Sequence, residues 1–269
     1  MKIIRITNSA LLATALSVAA FNAARADERL FTYSYEADVL PKGGLEFEQW
    51  ITHRRDKEDG VFSRWDFREE LEYGLTDRLT SALYLNFRQT TEENDLVDDS
   101  DFEFKGISSE WKYQFLNPHT KPIGLLGYGE LTYNGTELEL EQKLVVQRNF
   151  GERWVSVFNA TIEQEWEWED DAEERELSLE FTAGISYRLN KNWALGIEGR
   201  NHRVFADLDF DDEEASAWFV GPALHYGRAR WWGTLTVLPQ VSGRPDTDGG
   251  LELDEHTKIE ARLIVGYNF

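Results

Sequence analysis

Lys258-Ile259-Glu260-Ala261-Arg262-Leu263-Ile264-Val265-Gly266-Tyr267-Asn268-Phe269 closes the chain. Ile259, Ala261, Leu263, Val265, Tyr267 and Phe269 recur at a period of two. Lys258, Glu260, Arg262, Gly266 and Asn268 hold the alternate positions, with Ile264 as the one apolar intruder. Period two is the signature of an extended strand whose faces meet different media. One such segment fits a membrane barrel or the edge of a soluble sandwich, so the rest of the chain must decide.

The N-terminus addresses the compartment. Met1, Lys2 and Arg5 form a basic start, Ala10 to Phe21 an apolar Ala-rich core, and Ala24-Arg25-Ala26 a small-x-small site. This pattern predicts a secretory signal peptide over residues 1–26, cleaved before Asp27. No later run is apolar and long enough for a membrane helix, so a membrane-spanning mature chain must close into a barrel. There is no cysteine, which excludes disulfides, thiolate metal sites and lipid attachment at Cys. Losing Lys2, Arg5 and Arg25 leaves 25 of the 28 basic residues against all 50 acidic ones, a balance that argues against nucleic acid as a partner.

Residues 27–42 show only Phe31, Tyr33 and Tyr35 in alternation before Leu40-Pro41-Lys42-Gly43-Gly44 breaks the pattern. They read as a periplasmic lead-in that pairs briefly or tucks into the barrel mouth. Residues 43–269 then carry twelve alternating segments. Trp65, Phe67, Leu71 and Tyr73 stand against Arg64, Asp66, Arg68, Glu70 and Glu72. Trp154, Phe158, Ile162, Trp166 and Trp168 stand against Glu163, Glu165 and Glu167. Twelve is even, which brings both chain ends to one side.

The connections sort by kind. Gly74-Leu75-Thr76-Asp77, Asn117-Pro118, Asn149-Phe150-Gly151, Asn190-Lys191-Asn192 and Gly227-Arg228 are short and carry turn chemistry. Arg54 to Gly60, Glu92 to Asp101, Glu169 to Glu176, Asp207 to Glu214 and Ser242 to Glu255 read as longer acidic loops, with Asn134-Gly135 the tight member of that set. Aromatics collect near both sets: Tyr73, Trp111, Trp154, Trp193 and Trp231 by the short turns, Trp65, Phe87, Trp166 and Trp218 by the acidic loops. Short turns at one end, long loops at the other and two aromatic girdles predict an all-β, single antiparallel transmembrane barrel of about twelve strands with both termini periplasmic.

Several stretches carry a resemblance: Glu28-Arg29-Leu30-Phe31-Thr32-Tyr33, Glu46-Phe47-Glu48-Gln49-Trp50, Arg68 to Asp77, Asp101 to Ser108, and Leu238-Pro239-Gln240. They resemble an uncharacterised family of proteobacterial outer-membrane barrels, itself similar to porins associated with the MetA pathway of phenol degradation. The resemblance implies a fold and an outer-membrane location, and brings no catalytic residues. The final strand, ending on Phe269, also resembles the signal read by the barrel-assembly machinery, with Tyr267 and Phe269 as its aromatics.

Alternation places Arg68, Glu70, Glu110, Lys112, Glu130, Glu141, Lys143, Glu163, Glu165, Glu180, Arg188, Glu198, Arg200, Glu260 and Arg262 on the inner face as lumen-lining candidates. Eight-stranded barrels are filled by side chains and sixteen or more strands leave an aqueous channel, so twelve fits either a narrow pore or a sealed interior. Rings of carboxylates would favour small cationic or neutral solutes. Mixed charges could instead pair across the interior and make a non-conducting structural or surface-interaction barrel. A hydrolase is the least favoured reading. Among His53, His119, His202, His225 and His256, only His202 is expected on the inner wall, and no serine shares its face at a suggestive spacing. No cofactor is expected. The acidic loops Asp98-Asp99-Ser100-Asp101, Glu169-Asp170-Asp171 and Asp207 to Glu214 could take Ca²⁺ or Mg²⁺ and bridge to lipopolysaccharide.

Overall fold

A computed structural model describes residues 28–58, 60–93, 98–169 and 172–269. The expected signal peptide lies outside the described residues, as do parts of three acidic stretches. Twelve strands follow in order: β1 (Leu45–Arg55), β2 (Val61–Thr76), β3 (Leu79–Glu93), β4 (Asp98–Leu116), β5 (Gly124–Tyr133) and β6 (Glu137–Phe150), then β7 (Trp154–Glu169), β8 (Ala172–Arg188), β9 (Trp193–Ala206), β10 (Glu213–Arg228), β11 (Trp231–Arg244) and β12 (Ile259–Asn268). Each pairs antiparallel with its neighbour. β12 closes on β1, with Phe47 opposite Tyr267 and Arg54 opposite Glu260. The twelve-stranded antiparallel barrel expected from the period-two pattern is the observed fold, and the described residues contain no helix.

Closure leaves no free edge, so every ladder group finds a partner within the wall. The outer face is apolar: Leu71, Leu83, Ile107, Leu131, Phe158, Ile197, Leu224 and Leu235 are all exposed. At the short-turn end the outer aromatics touch one another around the rim, Trp154 on Tyr187, Trp193 on Tyr226, Trp231 on Tyr267 and Tyr267 on Phe269. Aromatic groups spaced along this rim are what an interfacial girdle requires.

The acidic end differs from its expected form. Two of the five predicted loops there, Glu92 to Asp101 and Glu169 to Glu176, are largely strand. β3 runs to Glu93 and β4 starts at Asp98; β7 runs to Glu169 and β8 starts at Ala172. These hairpins keep their ladder pairing well into the acid runs, as in Thr91↔Ser100 and Glu167↔Glu174. Charge-rich sequence reads as loop by composition, but a strand facing water on both sides accepts charge on either face. Among the described residues, only Pro245 to Lys258, between β11 and β12, forms a long connection. It folds inward rather than outward: Glu252, Leu253, His256 and Thr257 are buried, and Gln240 Nε2 donates to the Glu252 and Thr257 carbonyls at 2.7 and 3.2 Å.

A plugged lumen as the candidate functional site

Of the two courses the sequence left open for the N-terminal segment, pairing briefly or tucking into the barrel, it takes the second. Residues 28–41 cross the interior at the short-turn end. Leu30, Phe31, Thr32, Tyr33, Ser34, Ala37 and Leu40 are buried. The segment joins no sheet. Its backbone is instead held by side chains of the wall. Glu198 on β9 accepts the backbone N–H groups of Thr32 (3.3 Å), Tyr33 (3.0 Å) and Ser34. Asn159 on β7 accepts the Tyr35 N–H at 2.6 Å and donates to the Tyr35 carbonyl at 3.1 Å. Gln147 on β6 accepts the Ala37 N–H at 2.7 Å, and Thr80 on β3 accepts that of Leu40 at 3.0 Å. Gln114 donates to the Ala37 carbonyl at 2.7 Å and Arg262 to the Thr32 carbonyl at 3.1 Å. A buried backbone without a ladder must satisfy its polar groups some other way, and inward polar side chains do so here.

The wall is also shaped for the plug. Inward Trp50, Leu126, Tyr128, Val145, Trp232 and Ile264 make an apolar layer against Tyr35 and Ala37. Ile264, the intruder of the C-terminal strand, therefore belongs to the lumen floor. A Cβ on Gly184 would stand 2.5 Å from the Phe31 ring, and one on Gly74 would stand 2.1 Å from the Pro41 carbonyl oxygen. These two glycines leave the space that the plug fills. Gly184→Leu should accordingly unseat Phe31 and open the lumen without touching the plug's own sequence. Bilayer recordings of the variant should show conductance steps, and a silent, correctly folded variant would contradict the seating.

Above the plug lies a cavity of about 280 Å³, reaching toward the acidic end. Of the lumen-lining candidates, Arg68, Glu141, Lys143, Glu163, Glu180, Arg200 and Arg262 line it. Glu70, Glu110, Lys112, Glu130, Glu198 and Glu260 are buried in the wall and floor beside it. Glu165 lines a second recess near the acidic mouth with Glu167, Glu174, Glu176 and Glu214, and Arg188 ends β8 at the short-turn rim. Arg54, Arg64, Asp66, Arg88, Lys105, Glu137 and Glu139 also line the cavity, Arg64 and Asp66 from the polar face already read on β2. Strict alternation could have found the others except Lys105, which turns inward at a register break in the β3–β4 ladder.

Arginines gather on β1–β3 and glutamates on β6–β7, with Lys105 on Glu137 at 2.7 Å and Lys143 on Glu141 at 3.0 Å as the cations of the glutamate side. On β1–β3, Arg54, Arg64 and Arg88 all converge on the single carboxylate of Asp66, at 3.2 Å from Arg64 and 2.8 Å from Arg88. Opposite, on β6 and β7, Glu139 stands across from Glu165 and Glu141 from Glu163. Glu139 and Glu163 meet no basic side chain among the described residues. Some charges do cross the interior: Arg200 on β9 reaches over two strands to Glu260 on β12 at 2.9 Å and also pairs with Glu180, while Arg68 meets Glu130 at 3.3 Å.

The histidines also need correction. His202 is not the only one inside. His225, between outward Leu224 and Tyr226, points in, and its Nδ1 lies 2.9 Å from both the Arg29 carbonyl and Thr234 Oγ1. His256, on the inturned loop, bonds Glu252 through Nδ1 and meets His202 Nδ1 at 3.0 Å through Nε2. Burial pushes the Glu252 carboxyl up, but hydrogen bonds from His256 and from the backbone N–H groups of Asp254 and Glu255 outweigh it and hold the group below its ordinary value. This chain of contacts pins the loop over the mouth.

A family model described as a family of unknown function, DUF6662, matches residues 23–269. The chain belongs to the DUF6662 family. No curated protein matches it. Among solved structures, an outer-membrane channel from Pseudomonas putida F1 is similar over 87% of this chain and 98% of its own, with a TM-score of 0.62 at 16% identity. The NanC porin is similar over 83% and 100%, with a TM-score of 0.53 at 8% identity, and the KdgM porin over 83% and 99%, with a TM-score of 0.52 at 9% identity. At such identities the likeness establishes the barrel fold shared by this DUF6662 protein and those structures.

Proposed function

We propose that this protein is an outer-membrane channel held shut by its own N-terminal segment. The carrying observation is that residues 28–41 close the lumen without belonging to the barrel, so a complete twelve-stranded cylinder remains when they leave. The short turns and both termini face the periplasm in this reading, and the acidic hairpins face outward among lipopolysaccharide.

Small solutes enter from the acidic end, where the rim concentrates cations. The vestibule narrows the expected preference for cationic or neutral solutes to those without net charge. Its acidic wall faces an arginine wall, and opposed walls favour small solutes that carry both charges or neither. No catalytic role is assigned. The test is uptake into liposomes carrying a plug-free variant. Zwitterionic amino acids should enter faster than singly charged acids of equal size, and uptake that follows size alone would remove the charge-based selection.

The competing reading is a sealed structural barrel, favoured by the complete burial of Phe31, Thr32, Ser34 and Ala37. Conductance decides between the two. Assembly gives a further prediction. Phe269 is exposed at the rim and its N–H reaches the Leu45 carbonyl at 3.1 Å, so it seals the β12–β1 seam while presenting its ring outward. Deleting Phe269 should sharply reduce the folded, heat-modifiable barrel recovered from outer membranes. Wild-type amounts in that variant would show that the assembly machinery does not read this residue.

A further inference from the structure

We propose that Glu48, Glu70 and Glu72, in the lumen wall beside the plug, form a binding site for a hard divalent cation such as Ca²⁺. The three carboxylates are buried, and one oxygen of each lies within 4.8 Å of the other two. Calcium binds oxygen at about 2.4 Å, so a span near twice that distance is what three ligands around one ion produce. The register creates the crowding. Glu48 stands directly opposite Glu70 across the β1–β2 ladder, Glu46 stands opposite Glu72, and Glu70 and Glu72 share one face of β2. Like charges placed opposite one another on a sheet repel unless something sits between them.

The neighbours supply too little positive charge. Lys112 reaches Glu72 Oε1 at 2.5 Å and Glu110 Oε1 at 3.3 Å. Arg29 lies beside Glu48 and Glu70, with its guanidinium over the rings of Tyr35 at 3.8 Å and Trp50 at 4.4 Å. With Arg68, which is itself paired to Glu130 at 3.3 Å, three cations thus face the five buried carboxylates of Glu46, Glu48, Glu70, Glu72 and Glu110. Independently, Glu70 Oε2 and Glu72 Oε2 are buried and receive no N–H or O–H from any other residue, the two carboxyls lying within hydrogen-bond reach only of each other. Buried carboxylate oxygens left without a donor are costly, and a cation shared among them removes both the repulsion and the vacant acceptors. The oxygen-only ligand set excludes a preference for soft metals and suits Ca²⁺ or Mg²⁺. Such an ion ties β1 to β2 in the wall against which Arg29 packs.

Trp50 reports on the site. Its Nε1 donates to Glu48 Oε2 at 2.7 Å, so a lanthanide bound by the trio lies within range of excitation transfer from its indole. The experiment is to refold the full mature chain in detergent with Tb³⁺, excite tryptophan and record terbium emission, then titrate Ca²⁺. Sensitised emission displaced by Ca²⁺ is expected. Glu70→Gln should weaken Tb³⁺ binding by at least about tenfold, since even second-shell changes at metal sites cost roughly that much. Trp50→Phe should cut the emission while Ca²⁺ still raises the unfolding temperature. Absence of sensitised emission, emission unchanged in Glu70→Gln, or emission unchanged in Trp50→Phe would each overturn the assignment. The last two would place the bound ion elsewhere, as at the acidic rim. Trp50→Phe retains all three carboxylates, so it serves even where Glu70→Gln fails to fold.

Discussion

Removing residues 28–40 should convert a silent barrel into a steadily conducting one. The twelve strands pair around the full circumference without help from this segment, so its loss breaks no ladder hydrogen bond. What it removes is the floor of the vestibule: the Phe31 ring against Gly184, the Tyr35 and Ala37 contacts with the inward apolar layer, and the strap of backbone bonded to Glu198, Asn159, Gln147 and Thr80. The cavity of about 280 Å³ should then continue to the short-turn rim. Twelve strands lie between barrels filled by their own side chains and those that leave a water channel, so occupancy of the interior decides whether ions pass. The measurement is planar-bilayer recording of the refolded deletion beside the full mature chain, with heat-modifiability as the control for folding. A synthetic peptide of residues 28–41 added back should block the pore from one face only. If the deletion folds but passes no current, then Trp50, Tyr128, Trp232 and Ile264 close the pore by themselves, since an apolar constriction can exclude water. The protein would then be a structural barrel.

Much of this architecture was legible in the chain, and the reason is geometric. A strand with lipid on one side and the lumen on the other must alternate, so the positions of Glu163, Glu198, Glu260 and Arg262 followed from counting by two. The plug was legible only as a segment that could tuck into the mouth, and its seating was hidden for the same reason. Thr32, Tyr33 and Ser34 are held by a carboxylate more than a hundred and sixty residues away, and no local period encodes that partnership. Ile264 was visible as an anomaly, but its meaning depended on Tyr35 and Ala37 arriving from the other end of the chain. The acidic hairpins misled differently. Glu92, Asp99, Glu173 and Glu174 suggest loops by composition, whereas their backbone continues the ladder. The segregation of arginines from glutamates was equally hidden, because it depends on which strands face each other across the lumen.

Glu198→Ala should have the largest effect of any single substitution on closure. Its carboxylate accepts three consecutive plug N–H groups, two on Oε1 and one on Oε2. A hydrogen bond to a charged group is worth about 1.5–3 kcal/mol, and the alanine variant leaves three buried donors without an acceptor. Even a net loss of roughly 3 kcal/mol would raise the ratio of plug-out to plug-in states about a hundredfold, at about 1.4 kcal/mol per decade. Glu198→Gln keeps one carbonyl oxygen for two of the three donors but turns an amide N–H₂ toward the third, so its effect should be intermediate. Single-channel open probability and protease access to residues 28–41 report the equilibrium, while heat-modifiability reports the barrel. Opening in the order Ala, then Gln, then wild type, with the barrel intact, identifies Glu198 as the latch. A conducting deletion combined with a closed Glu198→Ala variant would shift the hold to the apolar seat of Phe31, Tyr35 and Ala37. The gate would then yield to bulk at Gly184 rather than to loss of charge at Glu198.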